Sequence, residues 1–168
     1  MEEVRKTNGL SAAQTAELGN EIKKLSRTIP LTTQELTSIG VAAGQSGIAM
    51  KDIPNYVKDI SKASVALAVD TDKAGLAFGR LANIYGMSTN EIPKLAAAIN
   101  VLGDSSVASE KEILNVIMRT AALSKQANLT AKDASALGAS FVSLGMAPNV
   151  AATAINALLS RMTTAEIQ

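Results

Sequence analysis

The sequence predicts an all-α fold of about eight short helices, arranged as stacked helical hairpins around a repeated helix–glycine turn–helix unit. Three observations predict it. Apolar residues recur at helical spacing nearly throughout, with no sustained strand-type alternation. Hydroxyl–acid pairs and glycines punctuate the chain where helices should begin and end. Finally, the chain repeats itself. Residues 31–49 (LTTQELTSIGVAAGQSGIA) and 129–147 (LTAKDASALGASFVSLGMA) lie 98 residues apart with the same Leu, Thr, Gly, Gly and Ala. A partial copy lies 39 residues after the first, where Gly47-Ile48 with Asp52-Ile53-Pro54 recurs as Gly86-Met87 with Glu91-Ile92-Pro93. Such repeats indicate stacked hairpins and a scaffold role.

In chain order, the first stripe is Leu18, Ile22, Leu25 and Ile29. The second is Leu36, Ile39 and Ala43. Ile53, Val57, Ile60, Ser64 and Leu67 form a third, and Ala74, Phe78, Leu81 and Tyr85 a fourth. Ile92, Leu95, Ile99 and Leu102 form the fifth. Ile113, Ile117 and Ala121, flanked by Leu114 and Met118, form the sixth. Leu137, Phe141 and Leu144 mark the seventh, and Ala151, Ile155, Leu158 and Met162 the eighth. Thr32 with Glu35, Ser88 with Glu91, Ser109 with Glu112 and, as a variant, Thr130 with Asp133 read as capping boxes. Gly47, Gly86, Gly103 and Gly145 fall where left-handed helix closures are expected, and Pro54 and Pro93 in first helical turns. Gly145 should therefore tolerate no β-branched residue. Gly75, inside a helix, should accept alanine unless the site is too tight for a methyl.

Composition excludes several function classes. The 168 residues contain no His, Cys or Trp, which removes most metal and nucleophile chemistry, and the net charge of +1 leaves no nucleic-acid footprint. Aromatic residues make up 2% of the chain, so the core must come from Ala, Leu, Ile, Val and Met, with modest burial per residue. Residues 1–10 read as a disordered or frayed N-terminus without a signal-peptide core, and residues 11–168 as a single domain. The terminal MTTAEIQ lacks a helix cap, which suggests a piece of a longer protein.

No catalytic, cofactor-binding or metal-ligating residue is expected, and no cofactor. Asp70 and Asp72 supply too few oxygens for a Ca²⁺ loop and read as first-turn acids, as do Glu110 and Glu112. Gly40-x-x-x-Gly44 and Gly75-x-x-x-Gly79 have the small-residue spacing of membrane helices, but their polar neighbours favour close packing of soluble helices. Arg80, Arg119 and Arg161 read as scattered, solvated residues on different helices. Residues 134–160 carry no charge over 27 positions. The break at Gly145-Met146-Ala147-Pro148-Asn149 makes them a helical hairpin ahead of a membrane span.

The run ALAVDTDKAGLAFGRLANIYGMSTNEIPKLAAAINVLG and the later ILNVIMRTAALSKQANLTAKDASALGASFVSLGMAPNVAATAINALLSRM, with ELGNEIKKLSRTIPLTTQELTSIGVAAGQSGI before them, resemble the shared core region of tape measure proteins from long-tailed bacteriophages and prophages. The resemblance covers roughly residues 18–162 and departs from it at Met146–Asn149, where many relatives are richer in glycine. It implies a non-enzymatic virion structural protein: one that sets tail length, helps tail assembly and leaves the tube with or before the DNA. The implied partners are tail-tube subunits, assembly chaperones and baseplate or tip components, with self-association among them and no specific nucleic acid. The implied locations are the tail lumen and, during assembly, the host cytoplasm. Other readings are a soluble helical-repeat adaptor that binds partner helices, and a membrane-inserting segment used when DNA enters the cell.

Overall fold

In the computed structural model, which describes residues 1, 2, 5, 6, 9 and 11–165, eight complete α-helices follow one another and no strand occurs among those residues. They are α1 (Ala12–Leu25), α2 (Thr33–Gln45), α3 (Ile53–Ala66), α4 (Thr71–Tyr85), α5 (Ile92–Ser105), α6 (Glu110–Gln126), α7 (Ala131–Ser143) and α8 (Pro148–Ala165). Of the expected frayed N-terminus, residues 3, 4, 7, 8 and 10 lie outside the described residues, while Glu2, Arg5 and Lys6 are helical.

The helices form two layers. In one, α2 packs on α4, α4 on α6 and α6 on α8. In the other, α1 packs on α3, α3 on α5 and α5 on α7. Across the layers α1 meets α2, α2 meets α3, α3 meets α4, α5 meets α6, α6 meets α7 and α7 meets α8. The first layer's helices begin at Thr33, Thr71, Glu110 and Pro148, a period of about 39 residues. The weak 39-residue echo is therefore the structural repeat. The stronger 98-residue repeat spans about two and a half periods, so its two copies, α2 and α7, occupy opposite layers.

Those copies nonetheless share a local program. Both are 13-residue helices. Thr32 caps the Glu35 N–H and Thr130 the Asp133 N–H, and the acid in turn accepts from the cap's backbone. Ser109 with Glu112 opens α6 in the same way, and Ser11 with Gln14 opens α1, a box the sequence reading missed. The Glu91 carboxylate accepts from the Ser88 N–H and hydroxyl ahead of a 3-10 turn (Thr89–Glu91) that leads into α5. A matching 3-10 turn, Met50–Asp52, leads into α3, and Pro54 and Pro93 sit in the first α-turns that follow.

Helix ends also recur. Gly47, Gly86 and Gly145 have positive φ, as expected, but so do Ala68 (φ 48°) and Asn128 (φ 56°). The next residue is apolar in each case: Ile48, Val69, Met87, Leu129 and Met146 all pack against the core. The amides of Ile48, Val69, Met87 and Leu129 each donate five residues back, to Ala43, Ser64, Ala82 and Ser124. Gly103 is a correction: it lies inside α5, against the Glu110 side chain, and terminates nothing. Ile29 likewise falls beyond the end of α1, in a turn.

One continuous core runs through the stack, with Tyr56 and Phe78 its largest fully buried side chains. Stripes two to six face it, with Leu102 and Met118 only half-buried. Stripes seven and eight hold only in part: Leu137 and Phe141 are half-buried against the core and Ala151 and Ile155 fully buried, but each stripe ends on exposed residues. On α7 the buried face is Ala131, Ala134, Ser135, Gly138, Ala139 and Val142, while Leu144 is 76% exposed. On α8 it is Ala151, Ala152, Ile155 and Leu159, while Leu158 and Met162 are exposed. Close approach explains the α7 face: a Cβ at Gly138 would stand 3.1 Å from Val116, so small residues turn inward where α7 meets α6.

Gly75-x-x-x-Gly79 serves the same purpose on α4, as the packing reading expected. The Tyr56 hydroxyl donates to the Gly75 carbonyl, and Gly79 lies against Ser46 and Tyr56. A Cβ at Gly75 would be 2.8 Å from the Ala42 Cβ. Gly75→Ala should therefore lose ~1–3 kcal/mol to overpacking against a helix gain of ~1 kcal/mol. Gly145 (φ 88°) stands in open space, so Gly145→Val costs backbone strain of ~1–3 kcal/mol. Both variants should melt below the parent. A Gly75→Ala variant more stable than the parent would mean a looser α2–α4 contact.

Acid should loosen the stack. The Glu35, Glu91 and Glu112 carboxyls are held below their ordinary range, first by the cap residue's backbone N–H, then by its hydroxyl. For Asp133 the Thr130 hydroxyl comes first. Depressed carboxylates stabilise the fold above their unfolded pKa, and that contribution is lost as pH falls through the folded one. Asp59 opposes this, because burial pushes its carboxyl up. The melting temperature should hold steady down to about pH 5 and then fall toward about pH 2. A melting temperature unchanged to pH 3 would show that the caps contribute nothing.

Candidate functional site: the groove between α4 and α6

The residues weighed for chemistry go to structural places. Asp70 is the N-cap residue of α4, paired with Lys73 at 2.6 Å, and Asp72 lies in the first turn. Glu110 and Glu112 occupy the first turn of α6. Among the described residues no group of three or more acids is placed to hold a metal ion. Nor is any helix among them long and apolar enough to cross a membrane. Residues 134–160 are split between α7 and α8.

The arginines are where the structure departs most from the sequence reading. Arg80 is the tenth residue of α4 and Arg119 the tenth of α6, so the 39-residue period sets them at equivalent positions on neighbouring helices. Together with Lys73 and Lys111 they line a groove of about 560 Å³. Arg161, on α8, is exposed and outside it. The signal was available in the sequence: applying the 39-residue offset to Arg80 lands on Arg119.

The groove's floor is apolar. Ala77 and Leu114 are buried in it, and Val69 and Met118 are partly buried against the core. Its rim is cationic. Among the described residues only two ion pairs form, Lys24–Glu21 and Lys73–Asp70, so Arg80, Lys111 and Arg119 face no carboxylate within pairing distance. Arg119 Nε donates to Asn115 Oδ1 at 2.7 Å, which fixes its stem along α6. The Lys73 ammonium, and more weakly that of Lys111, holds the Asp70 carboxyl below its usual range, so positive potential reaches across the groove. Four cations against one acid leave +3 here, where the whole chain carries +1. This arrangement can bind anionic groups beside an apolar surface.

Comparison with known proteins agrees with a tail protein. The family profile described as "Phage-related minor tail protein" matches residues 19–168. A curated relative, "Probable tape measure protein" of Halomonas phage phiHAP-1, is 26% identical over 136 residues, covering 76% of this chain and 16% of the relative. The chain thus spans about a sixth of that relative's length. No solved structure matches.

Proposed function

The chain belongs to the phage-related minor tail protein family, and from that premise we propose that it is a folded docking unit of a tape measure protein, acting in tail assembly. On this reading residues 11–168 work as one domain and the measured length lies in other parts of the protein. Its partners are tail-tube subunits, assembly chaperones and baseplate or tip components. It occupies the host cytoplasm during assembly, then the tail lumen, and leaves before or with the DNA. It carries out no reaction.

The observation that carries this reading is the two-layer stack with one continuous core. A ruler works by extension, and 168 residues in one helix would reach ~250 Å at 1.5 Å per residue. A folded chain of this size has a radius of gyration of ~15 Å, so it adds little length. Nearest-neighbour packing also makes the stack separable into hairpins, and opening into long helices inside the tube is the competing behaviour.

Spin labels distinguish the two. The described sequence has no cysteine, so a Lys58→Cys/Lys132→Cys pair, in a full-length protein freed of other cysteines, reports only this domain. Both side chains are exposed, on α3 and α7, two helices apart in one layer. Folded, the pair should lie ~20–30 Å apart in assembled tails, given helix spacings of ~8–10 Å plus the labels. Opened into one helix, it would lie ~110 Å apart. A distance distribution dominated by the long separation would overturn the proposal.

A further inference from the structure

We propose that the groove between α4 and α6 is a docking site for an acidic amphipathic helix of a partner protein. The inference rests on the groove itself and holds whether or not the domain acts in tail assembly.

Charge is the first argument. Arg80 and Arg119 stand one period apart on packed helices, and neither has a carboxylate partner among the described residues. Like charges at neighbouring positions repel, so setting them there opposes the fold's own electrostatics. Lys73 and Lys111 extend the cationic rim to the N-terminal ends of the same helices, where the backbone dipoles add positive potential.

The floor narrows the ligand class. Met118 and Val69, both half-buried, present apolar surface in the groove. A phosphodiester backbone has nothing to set against them, whereas a helix with a Leu or Ala stripe flanked by Asp and Glu does. The rim also sets a length. Lys73 and Arg80 are seven residues apart and Lys111 and Arg119 eight, so each edge spans ~10–12 Å, about two helical turns. An occupant with carboxylates two turns apart on both flanks of its apolar stripe meets all four cations. The volume of about 560 Å³ suits the inward-facing side chains of such a segment, not a folded domain. Specificity then comes from charge register and attachment from the apolar stripe, with a marked salt dependence.

The test uses a 14-residue helical peptide with a Leu/Ala stripe flanked by Glu, its counterpart with Lys for Glu, and a 12-base-pair DNA duplex. Each is titrated into the ¹⁵N-labelled chain. The Glu peptide should shift amides within residues 69–80 and 111–119. Its affinity should fall at least tenfold in the Arg80→Glu/Arg119→Glu variant, whose circular dichroism should match the parent because both positions are exposed. The single variants Arg80→Gln and Arg119→Gln should give intermediate losses. The proposal is overturned if those amides stay unmoved at millimolar Glu peptide, if the Lys peptide or the DNA moves them as strongly, or if charge reversal leaves the affinity unchanged.

Discussion

Phe78→Ala should lower the stability of the domain by ~3–5 kcal/mol, the largest loss expected from a single truncation here. Phe78 is fully buried on α4, which packs on α2, α3 and α6. The size of the loss follows from composition. With two Phe and two Tyr in 168 residues, the stack has few large side chains to fill the space between its layers. On its own helix most of the buried positions around it are Ala74, Gly75, Ala77, Gly79 and Ala82, which are too short to refill the hole, and Leu81 is the one large side chain a turn away. Cavity cost therefore adds to the lost transfer energy with little relaxation to offset it. Domains of this kind hold only ~5–15 kcal/mol in total, and α4 is interior to its layer. Losing it should also uncouple the hairpins on either side and broaden the unfolding transition. Phe141→Ala is the internal control. That ring is only partly buried on α7, and its removal should cost well under half as much. Denaturant titration of both variants checks this. Equal losses would mean that the two rings contribute alike and that the core is not centred on α4.

The contrast between Phe78 and Phe141 also shows which parts of the fold the sequence carries openly. Helix starts are written in adjacent residues: a hydroxyl, an acid three positions on, and an amide to cap. Thr32/Glu35 and Thr130/Asp133 are therefore readable without tertiary knowledge. Helix ends were readable only where the left-handed residue is glycine. Ala68 and Asn128 adopt the same conformation because Val69 and Leu129 gain burial by following it, a tertiary reward invisible in the local pattern. Faces were legible where large aliphatics mark them. On α7 the buried side is Ala, Ser and Gly with Val142 alone larger, because closeness to α6 selects small residues, and Leu144, just past the helix end, is exposed.

The layer order was hidden for a related reason. Residues 31–49 and 129–147 share a cap, a helix length and a glycine closure, which describe a helix but not the layer it joins. The fainter 39-residue echo describes the passage between layers and proved to be the period. Once that period is fixed, Arg80 and Arg119 stop looking scattered and become one rim of a groove. No motif search would have found the groove, since its residues carry no chemistry individually and acquire it by stacking.

Removing this region from the intact protein should abort tail assembly. A docking unit that occupies tens of ångströms adds little to tail length, and its loss leaves partners with nothing to engage. A ruler segment behaves differently, because its deletion subtracts ~1.5 Å per residue from an otherwise normal tail, or ~250 Å for 168 residues. A smaller change separates the fold from mere presence: Phe78→Ala leaves every residue in place but weakens the stack, so it should reduce the yield of complete tails without altering their length. Electron microscopy of particles made with the in-frame deletion is the most direct measurement. Complete tails should be absent or aberrant, with heads and unpolymerised tail components accumulating. Viable particles with uniform tails shorter by ~250 Å would contradict this expectation, and would show that this segment spends its working life extended.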